Sequence, residues 1–166
     1  MSGIKFDEAS YFASKKDTGA KRAVENVLES SWWAKHIAKR ASNIYAGAVA
    51  FIFIGSFVVL IISIDTITNF NVLTNMGRAV TSAVMLIFSL DLVRIAHSYK
   101  KYSEQSALVE AKAQMLLKSK SIEIVEAIKL VQEYHLAHAE APMNPQWLWK
   151  IMRDELNVIW REYRRN

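Results

Sequence analysis

The sequence predicts an all-α fold: a two-helix transmembrane hairpin with an N-terminal helical arm and C-terminal cytosolic helices. No charged residue occurs in Ala41–Ile64, a second apolar stretch covers Ala79–Ala96, and no segment alternates polar and apolar residues as a half-buried strand does. The predicted parts are a cytosolic arm at 1–40, a hairpin at 41–97 and a cytosolic helical region at 98–166.

The arm is predicted to be helical from Ala20 through Arg40. Its apolar residues recur at three- and four-residue spacing, as Ala23, Val24, Val27 and Leu28. Trp32 and Trp33 come just before the uncharged run, where an interfacial aromatic belt places tryptophan. The alternative for the two tryptophans is a helix that packs on its own protein.

The first span is predicted at about 43–64, where Ala46–Ile62 is apolar on every face of a helix. Crossing about 30 Å of hydrocarbon requires roughly 20 such residues. The alternative is the buried core helix of a soluble protein. A chain of 166 residues offers no core large enough to surround so long a helix, which favours the membrane.

The second span is predicted at about 79–97, after a polar far-side loop at Asp65–Gly77. Asp91 and Arg94 interrupt this span. Because no proline or glycine occurs between Arg78 and Pro142, the span is expected to continue directly into a cytosolic helix through about Leu117.

The basic residues predict the orientation of the hairpin. Lysines and arginines flank its two outer ends, whereas the loop between the spans is nearly uncharged; they are Lys35, Lys39, Arg40, Arg94, Lys100 and Lys101. The positive-inside rule therefore predicts two cytoplasmic termini and a multi-pass protein of the bacterial inner membrane. The polar N-terminal residues lack the apolar core of a secretory signal, so internal segments are expected to direct insertion.

Two further helices are predicted after a break at Lys118–Ser121. One carries Ile124, Val125, Ile128 and Val131 on one face and ends at Pro142. Asn144 as N-cap, with Pro145 at the first helical position, is predicted to open the last helix, which extends to about Tyr163. Its expected inward residues are Leu148, Ile151, Met152, Ile159 and Trp160.

Two groups of residues are candidates for a functional site. Asp91 and Arg94, three apart on one helix, are interpreted as part of a pore lining or gate, or as a helix end that has reached the headgroups. The last helix interleaves aromatic and basic residues. A nucleotide would bind this helix by stacking its base on the rings and pairing its phosphates with the cations. The residues of this candidate ligand site are Trp147, Lys150, Arg153 and Arg161. The alternative is that the tryptophans are core and the charges solvated.

Composition argues against several classes of function. The chain has no cysteine, so disulfides and thiolate catalysis are excluded. His135 and His138, near Glu133 and Glu140, lack a defined third ligand, so no metal site and no cofactor are predicted. No phosphate-binding glycine loop or paired catalytic group is recognised, and no enzymatic activity is expected. The net charge of +5 fits either nucleic acid or anionic lipid headgroups.

From Trp32 to Trp160 the sequence resembles the second half of the SMODS-associated four-transmembrane effector family of bacterial antiphage systems. The resemblance includes a Trp/Arg helix that leads through Tyr45 into a hairpin, Arg94 at the end of the second span, and a Pro-x-x-Pro-x-Trp pattern at Pro142–Trp147, followed by Arg153 and Glu155. The first transmembrane pair of that family is missing. The chain also resembles small two-transmembrane effectors found beside cyclic-nucleotide synthases, type III CRISPR modules or retrons.

The resemblance implies oligomerisation and loss of inner-membrane integrity when a sensor protein or a cyclic oligonucleotide signals infection. The expected partners are therefore the lipid bilayer, further copies of the chain, and such a ligand or sensor, with no duplex nucleic acid. One alternative is a non-lytic membrane adaptor that recruits a partner protein. A second is a soluble helical nucleic-acid binder that uses its basic C-terminus.

Overall fold

A computed structural model describes residues 19–66, 69–143 and 145–164, and these residues form five α-helices without a strand. The all-α prediction is therefore confirmed. The helices are α1 (Ala20–Thr66), α2 (Phe70–Ser89), α3 (Leu92–Lys118), α4 (Ile124–Ala139) and α5 (Gln146–Tyr163).

Helix α1 joins the predicted arm and the first apolar run into one helix of 47 residues. No proline interrupts it, and its two interior glycines, Gly47 and Gly55, border open space, where an added Cβ would contact nothing within 4 Å. The sequence carries no helix-breaking signal between residues 40 and 43, so the helix continues through both segments.

The predicted far-side loop at Asp65–Gly77 is wrong over most of its length, because α2 begins at Phe70. Asn69 caps this helix: its side-chain oxygen accepts a hydrogen bond from the Asn71 backbone N–H at 3.0 Å. The hydroxyl of Thr74 donates to the Phe70 carbonyl at 2.9 Å. These local bonds satisfy polar side chains within the helix. The polar composition of this segment is therefore compatible with a helix and did not require a loop.

The second predicted span, at about 79–97 and continuing to Leu117, is not one uninterrupted helix. Helix α2 ends at Ser89, and α3 begins at Leu92. Asp91 lies between them with a φ of 54°, in the left-handed region that asparagine and aspartate tolerate better than most residues. Its carbonyl accepts the first bond of α3, from Ile95 N–H at 2.9 Å. An aspartate therefore makes the break without proline or glycine.

The C-terminal helices lie close to their predicted limits. Helix α5 begins at Gln146 with Pro145 as its N-cap, so the predicted place of Pro145 at the first helical position is wrong by one residue. Asn144, the predicted cap, lies outside the described residues. Leu148 and Trp160 are buried as predicted, whereas Ile151 and Ile159 are exposed. Leu156 fills the inward position that the sequence analysis missed.

The chain divides into two compact units. Among the described residues, the apolar unit comprises those between 38 and 101, and the polar unit comprises 19–37 and those between 102 and 164. Within the apolar unit, α1 and α3 contact each other close to the residues at which the unit begins and ends in the sequence. Ser42 Oγ donates to the Ala96 carbonyl at 2.9 Å, and the Tyr45 and Tyr99 rings stack with centroids 5.6 Å apart. These two contacts join the start of the first apolar run in α1 to the first turns of α3.

Most large apolar side chains of the apolar unit face outward. Phe51 is 80% exposed and Phe53 58%, and the same holds for many neighbours in α1 and α2. In the part of the chain that the structure describes, two helical stretches are long and apolar enough to cross a membrane, and only 6% and 12% of their most apolar segments are buried within the protein. The core of a soluble protein would bury such residues.

The polar unit has its own hydrophobic core, built from α1, α3 and α4. Its buried members are small or branched and are Val24, Val27, Val109, Ala113, Ala127 and Leu130. Val24 and Val27 belong to the predicted apolar stripe of the arm, which is thus a packing face. Leu148, Leu156 and Trp160 of α5 are also buried within the chain.

Candidate functional site

Glu110, near the middle of α3, links three helices of the polar unit. Its side chain is only 7% exposed, and its carboxylate forms an ion pair with Lys35 Nζ of α1 at 2.5 Å. It also accepts a hydrogen bond from the Tyr163 hydroxyl of α5 at 2.9 Å. A buried carboxylate is stable only when its partners are in place, so this contact couples the positions of α1, α3 and α5.

Gln114, one turn after Glu110, extends this polar network. Its amide nitrogen contacts the Tyr163 hydroxyl and lies 3.5 Å from the Glu110 carboxylate. On the α1 side, the Ser103 hydroxyl donates to the Lys35 carbonyl at 3.0 Å. Lys35 is therefore held to α3 by both its side chain and its backbone.

Aromatic rings cover one side of the network. Trp32 lies 5.0 Å from Trp160, 5.9 Å from Tyr163 and 4.1 Å from His36 between ring centroids. The Nδ1–H of His36 donates to the Trp32 carbonyl at 2.8 Å, because that oxygen can only accept. Trp32 is 2% exposed, so the interfacial-belt interpretation is wrong for this residue and the packing alternative holds.

An open pocket of about 480 Å³ lies beside the network. Trp160, Tyr163 and Gln114 form part of its lining, together with two leucines and with charged residues of both signs; these are Leu28, Leu117, Glu25, Glu29, Lys118 and Arg164. The Trp160 indole N–H is buried without a hydrogen-bond partner among the described residues. Burial, followed by the bond to Glu110, raises the pKa of the Tyr163 phenol to about 12, so it stays a neutral donor at physiological pH.

A second polar contact joins α3 to α4. The Tyr102 hydroxyl and His138 Nδ1 share a hydrogen bond of 2.9 Å, and the Tyr134 ring stacks on His138 at 5.9 Å. Burial, followed by the nearby Tyr134, raises the pKa of Tyr102 to about 12. Across the described ranges, no group of three or more His, Asp or Glu side chains is placed to hold a metal ion.

The structure does not bring the predicted nucleotide-binding residues together at one pocket. Trp147, Lys150 and Arg153 lie exposed in the first turns of α5, and Arg153 sits over the Trp149 ring at 5.5 Å. Arg161 lies about 12 Å further along the helix axis than Arg153, at 1.5 Å per residue. Its side chain donates to the Asn157 carbonyl at 3.2 Å. The pocket is lined instead by Trp160 and Tyr163 of the same helix and by Arg164, its C-cap.

Asp91 and Arg94, the other predicted pair, do contact each other. The Asp91 carboxylate and the Arg94 guanidinium form an ion pair across the start of α3. Arg94 is mostly exposed, whereas Asp91 is half-exposed. The pair therefore accompanies the break between α2 and α3, and its role in a gate stays a prediction.

Sequence reasoning missed Lys35, Glu110 and Tyr163 as a connected set. One signal was available: Glu110 follows Tyr102, Ser106 and Val109 on the face of α3 that is otherwise small or apolar. A charge on such a face requires a partner from another helix.

No protein-family model, curated protein or solved structure matches this chain. The resemblance to membrane-acting antiphage effectors therefore stays a prediction that depends on the residues quoted for it.

Proposed function

We propose that this chain is an integral protein of the bacterial inner membrane. The apolar unit crosses the bilayer as a two-helix hairpin, with both termini in the cytoplasm. The observation that carries the proposal is the outward exposure of the apolar side chains, of which Phe51, Ile54 and Phe57 in α1 and Phe88 in α2 are examples. In water this surface would cost about 25 cal/mol per Å², whereas acyl chains solvate it.

The contacts within the apolar unit support a placement of the spans. The proposed hairpin makes α2 run antiparallel to the first apolar run. Counting back from Ala96 beside Ser42 and from Tyr99 beside Tyr45 then brings Arg78 level with the end of that run, near Ile64. Arg78 then reaches the far headgroups, and the first turns of α2 extend beyond the hydrocarbon. Thr81 remains inside, where its hydroxyl donates to the Gly77 carbonyl at 2.9 Å and is thereby satisfied.

The same placement puts Asp91 and Arg94 in the cytoplasmic part of the second span. An isolated charge there is costly, and pairing the two residues reduces that cost. One hairpin cannot enclose a water-filled path. The function we propose is therefore that several copies assemble and compromise the membrane when a sensor protein or nucleotide messenger engages the polar unit during infection.

The Glu110 network provides a route for this signal. Helices α1 and α3 both contribute residues to the polar unit and to the apolar unit. Within the polar unit they are fastened by Lys35 and Glu110, and Tyr163 attaches α5 to the same carboxylate. A ligand that displaces the last turn of α5 changes the bonding of the residue that holds the two helices together.

Membrane potential in cells expressing the chain tests this function. Induced expression, with and without neighbouring genes or candidate triggers, is expected to depolarise the cells, as read by a potential-sensitive dye. Asp91→Leu and Arg94→Leu are expected to change depolarisation while the protein stays in the membrane fraction after alkaline extraction. Normal potential under every trigger would argue against the proposal, and a stable complex with another protein would then favour the non-lytic adaptor.

A further inference from the structure

The first turns of α5 carry a surface that is both aromatic and basic. The indole rings of Trp147 and Trp149 are each close to half exposed, and Ile151 is 70% exposed. From residue 141 to residue 153 the chain has no acidic residue and two basic ones, Lys150 and Arg153, which are both exposed. These five residues form the aromatic–basic surface of α5. Exposed rings grouped with cations are typical of a contact surface.

The packing of α5 holds this surface outward. Leu148 is 2% exposed, so it fixes which face of the helix lies inside. Neighbouring residues of an α-helix lie about 100° apart around its axis, so Trp147 and Trp149 flank the buried Leu148 and keep part of each ring accessible. The Arg153 guanidinium lies over the Trp149 ring at 5.5 Å, which holds a cation beside the aromatic group.

Helix α5 begins at the end of the polar unit where α1 leaves the unit and α3 enters it. Tyr102, the first residue of α3 in this unit, shares a hydrogen bond with His138 in the last turn of α4. At the same end the Ser103 hydroxyl donates to the Lys35 carbonyl of α1. Only residues 140–145 separate α4 from α5, so the start of α5 remains near this end.

The last turn of α5 indicates the same direction. Tyr163 bonds to Glu110, about 12 Å beyond Tyr102 along α3, and the C-cap that follows lines the pocket with Lys118, further along α3. Helix α5 therefore runs in the same direction as α3. Because Trp147 precedes Tyr163 by about 24 Å along the helix axis, the first turn of α5 reaches the Tyr102 end.

We propose that the aromatic–basic surface of α5 lies in the cytoplasmic headgroup layer and binds anionic phospholipid. Indole rings concentrate in that layer, and lysine and arginine are attracted to its anionic lipids. At this end of the polar unit the chain continues into basic residues of the apolar unit, which are Lys39, Arg40, Lys100 and Lys101. The inference rests on the membrane placement in the proposed function, which puts all these cations at the same leaflet.

A lipid surface fits these residues better than a soluble nucleotide does. Small ligands bind in concave sites that enclose most of their surface, and the pocket beside Glu110 is lined by other residues. The aromatic–basic surface is the outer side of one helix, which a bilayer can contact without a cavity. Helix α5 would then bind headgroups with its first turns and Glu110 with Tyr163, and would thereby connect the lipid surface to the carboxylate that holds α1 and α3 together.

Fluorescence quenching tests the attachment in the full chain, which contains no natural cysteine. Gln146→Cys, at the exposed first residue of α5, is labelled with the fluorophore NBD and placed in vesicles of phosphatidylcholine and phosphatidylglycerol with nitroxide on some headgroups. Asn157→Cys is the matched control, because it is exposed on the same side three turns later, about 16 Å along the axis. We expect quenching at residue 146 to be about threefold stronger than at residue 157, because the quencher is that much closer.

Substitution of the rings tests their part in the attachment. Trp147→Ala/Trp149→Ala should lower quenching at residue 146 to the level of residue 157, whereas Trp147→Tyr/Trp149→Tyr retains interfacial rings and should preserve it. Unchanged quenching in the alanine variant would overturn the inference, since residue 146 would then lie near lipid without being held there by the rings. Vesicles of phosphatidylcholine alone should weaken the quenching, and equal quenching in both compositions would overturn the choice of anionic lipid.

A label at Phe53→Cys separates this inference from the proposed function, because nitroxide on the acyl chains quenches it only if the first apolar run is inserted. If that label is quenched while residues 146 and 157 respond equally to headgroup nitroxide, the attachment of α5 is refuted and the membrane placement stands. If that label is not quenched, the membrane placement is refuted together with the inference that rests on it. Protection of Gln146→Cys from a water-soluble maleimide in native membranes but not in the vesicles would overturn the inference in favour of a protein partner.

Discussion

The Tyr163 hydroxyl donates to the Glu110 carboxylate over 2.9 Å, so the last turn of α5 is attached to the middle of α3. Tyr163→Phe removes this bond and keeps the ring against Trp160, 5.3 Å away. Because hydrogen bonds to charged groups contribute about 1.5–3 kcal/mol, we expect a loss of about 2 kcal/mol in the free energy of unfolding. Chemical unfolding in mild detergent measures it.

Tyr45→Phe is the matched control for that measurement, because it also removes one hydroxyl and retains the stack on Tyr99. Its effect is expected to be smaller. An equal loss of unfolding free energy in the two variants would show that the Tyr163–Glu110 bond contributes no more to stability than the hydroxyl of Tyr45 does. If the bond transmits a signal, Tyr163→Phe should also shift the trigger concentration needed for depolarisation, while the protein remains in the membrane.

Two ion pairs of the polar unit are expected to differ in strength. Lys35→Met leaves the Glu110 carboxylate buried without its cation, and breaking such a pair typically costs about 3–5 kcal/mol. Lys112→Met breaks the exposed pair with Glu133, for which about 0–1 kcal/mol is expected. Thermal unfolding of both variants in detergent compares them. The double change Lys35→Met with Glu110→Leu should restore part of the stability, and failure to do so would contradict the pairing.

Much of the fold could be predicted from local sequence, whereas its exceptions could not. The uncharged run and the C-terminal periodicity predicted helices, because both signals lie within one element. The break at Asp91 depends on a single left-handed residue, and aspartate adopts that conformation without any neighbouring signal. The polar composition of Asp65–Gly77 predicted a loop, whereas local hydrogen bonds of Asn69 and Thr74 stabilise the start of α2 there.

The candidate site was harder to predict, because its members are distant in the chain. Lys35, Glu110 and Tyr163 come from three helices, and no spacing rule connects them. Trp32 illustrates a second difficulty. A tryptophan just before an apolar run is compatible with a membrane interface and with a helical core, and only the packing against Trp160 distinguishes the two.

Alkaline pH should weaken the polar unit through the buried phenol of Tyr102 and the half-buried phenol of Tyr163. In the folded protein the pKa of Tyr102 and of Tyr163 is raised from 10.0 to about 12, chiefly by burial. Because the phenols ionise less readily in the folded protein than in the unfolded chain, their contribution to the free energy of unfolding is fully present below pH 10. This contribution is lost as the pH rises through 12. Thermal unfolding between pH 9 and 12, with Tyr102→Phe/Tyr163→Phe as control, measures it; parallel pH curves for the two proteins would contradict the assignment.

A lysine in the first apolar run distinguishes membrane from solvent. Phe53 is 58% exposed, so Phe53→Lys would cost little in a soluble protein. At the centre of a span the same lysine costs about 2.5–3.5 kcal/mol. We expect a several-fold decrease in the fraction retained by membranes after alkaline extraction. Ile151→Lys, at a similarly exposed position of α5, should leave retention unchanged, and equal retention of both variants would argue against the span.

Asp91 is expected to tolerate glycine better than alanine. Both substitutions remove the carboxylate that pairs with Arg94, so their difference isolates the backbone at φ 54°. Alanine in the left-handed region costs about 1–2 kcal/mol, whereas glycine adopts it without steric penalty. Asp91→Gly should therefore unfold in detergent at a higher temperature than Asp91→Ala. Equal stability of the two variants would mean that residue 91 is not left-handed and that α2 continues into α3. In that case the ion pair with Arg94 would lie on an unbroken helix, and a gate would have to be sought elsewhere.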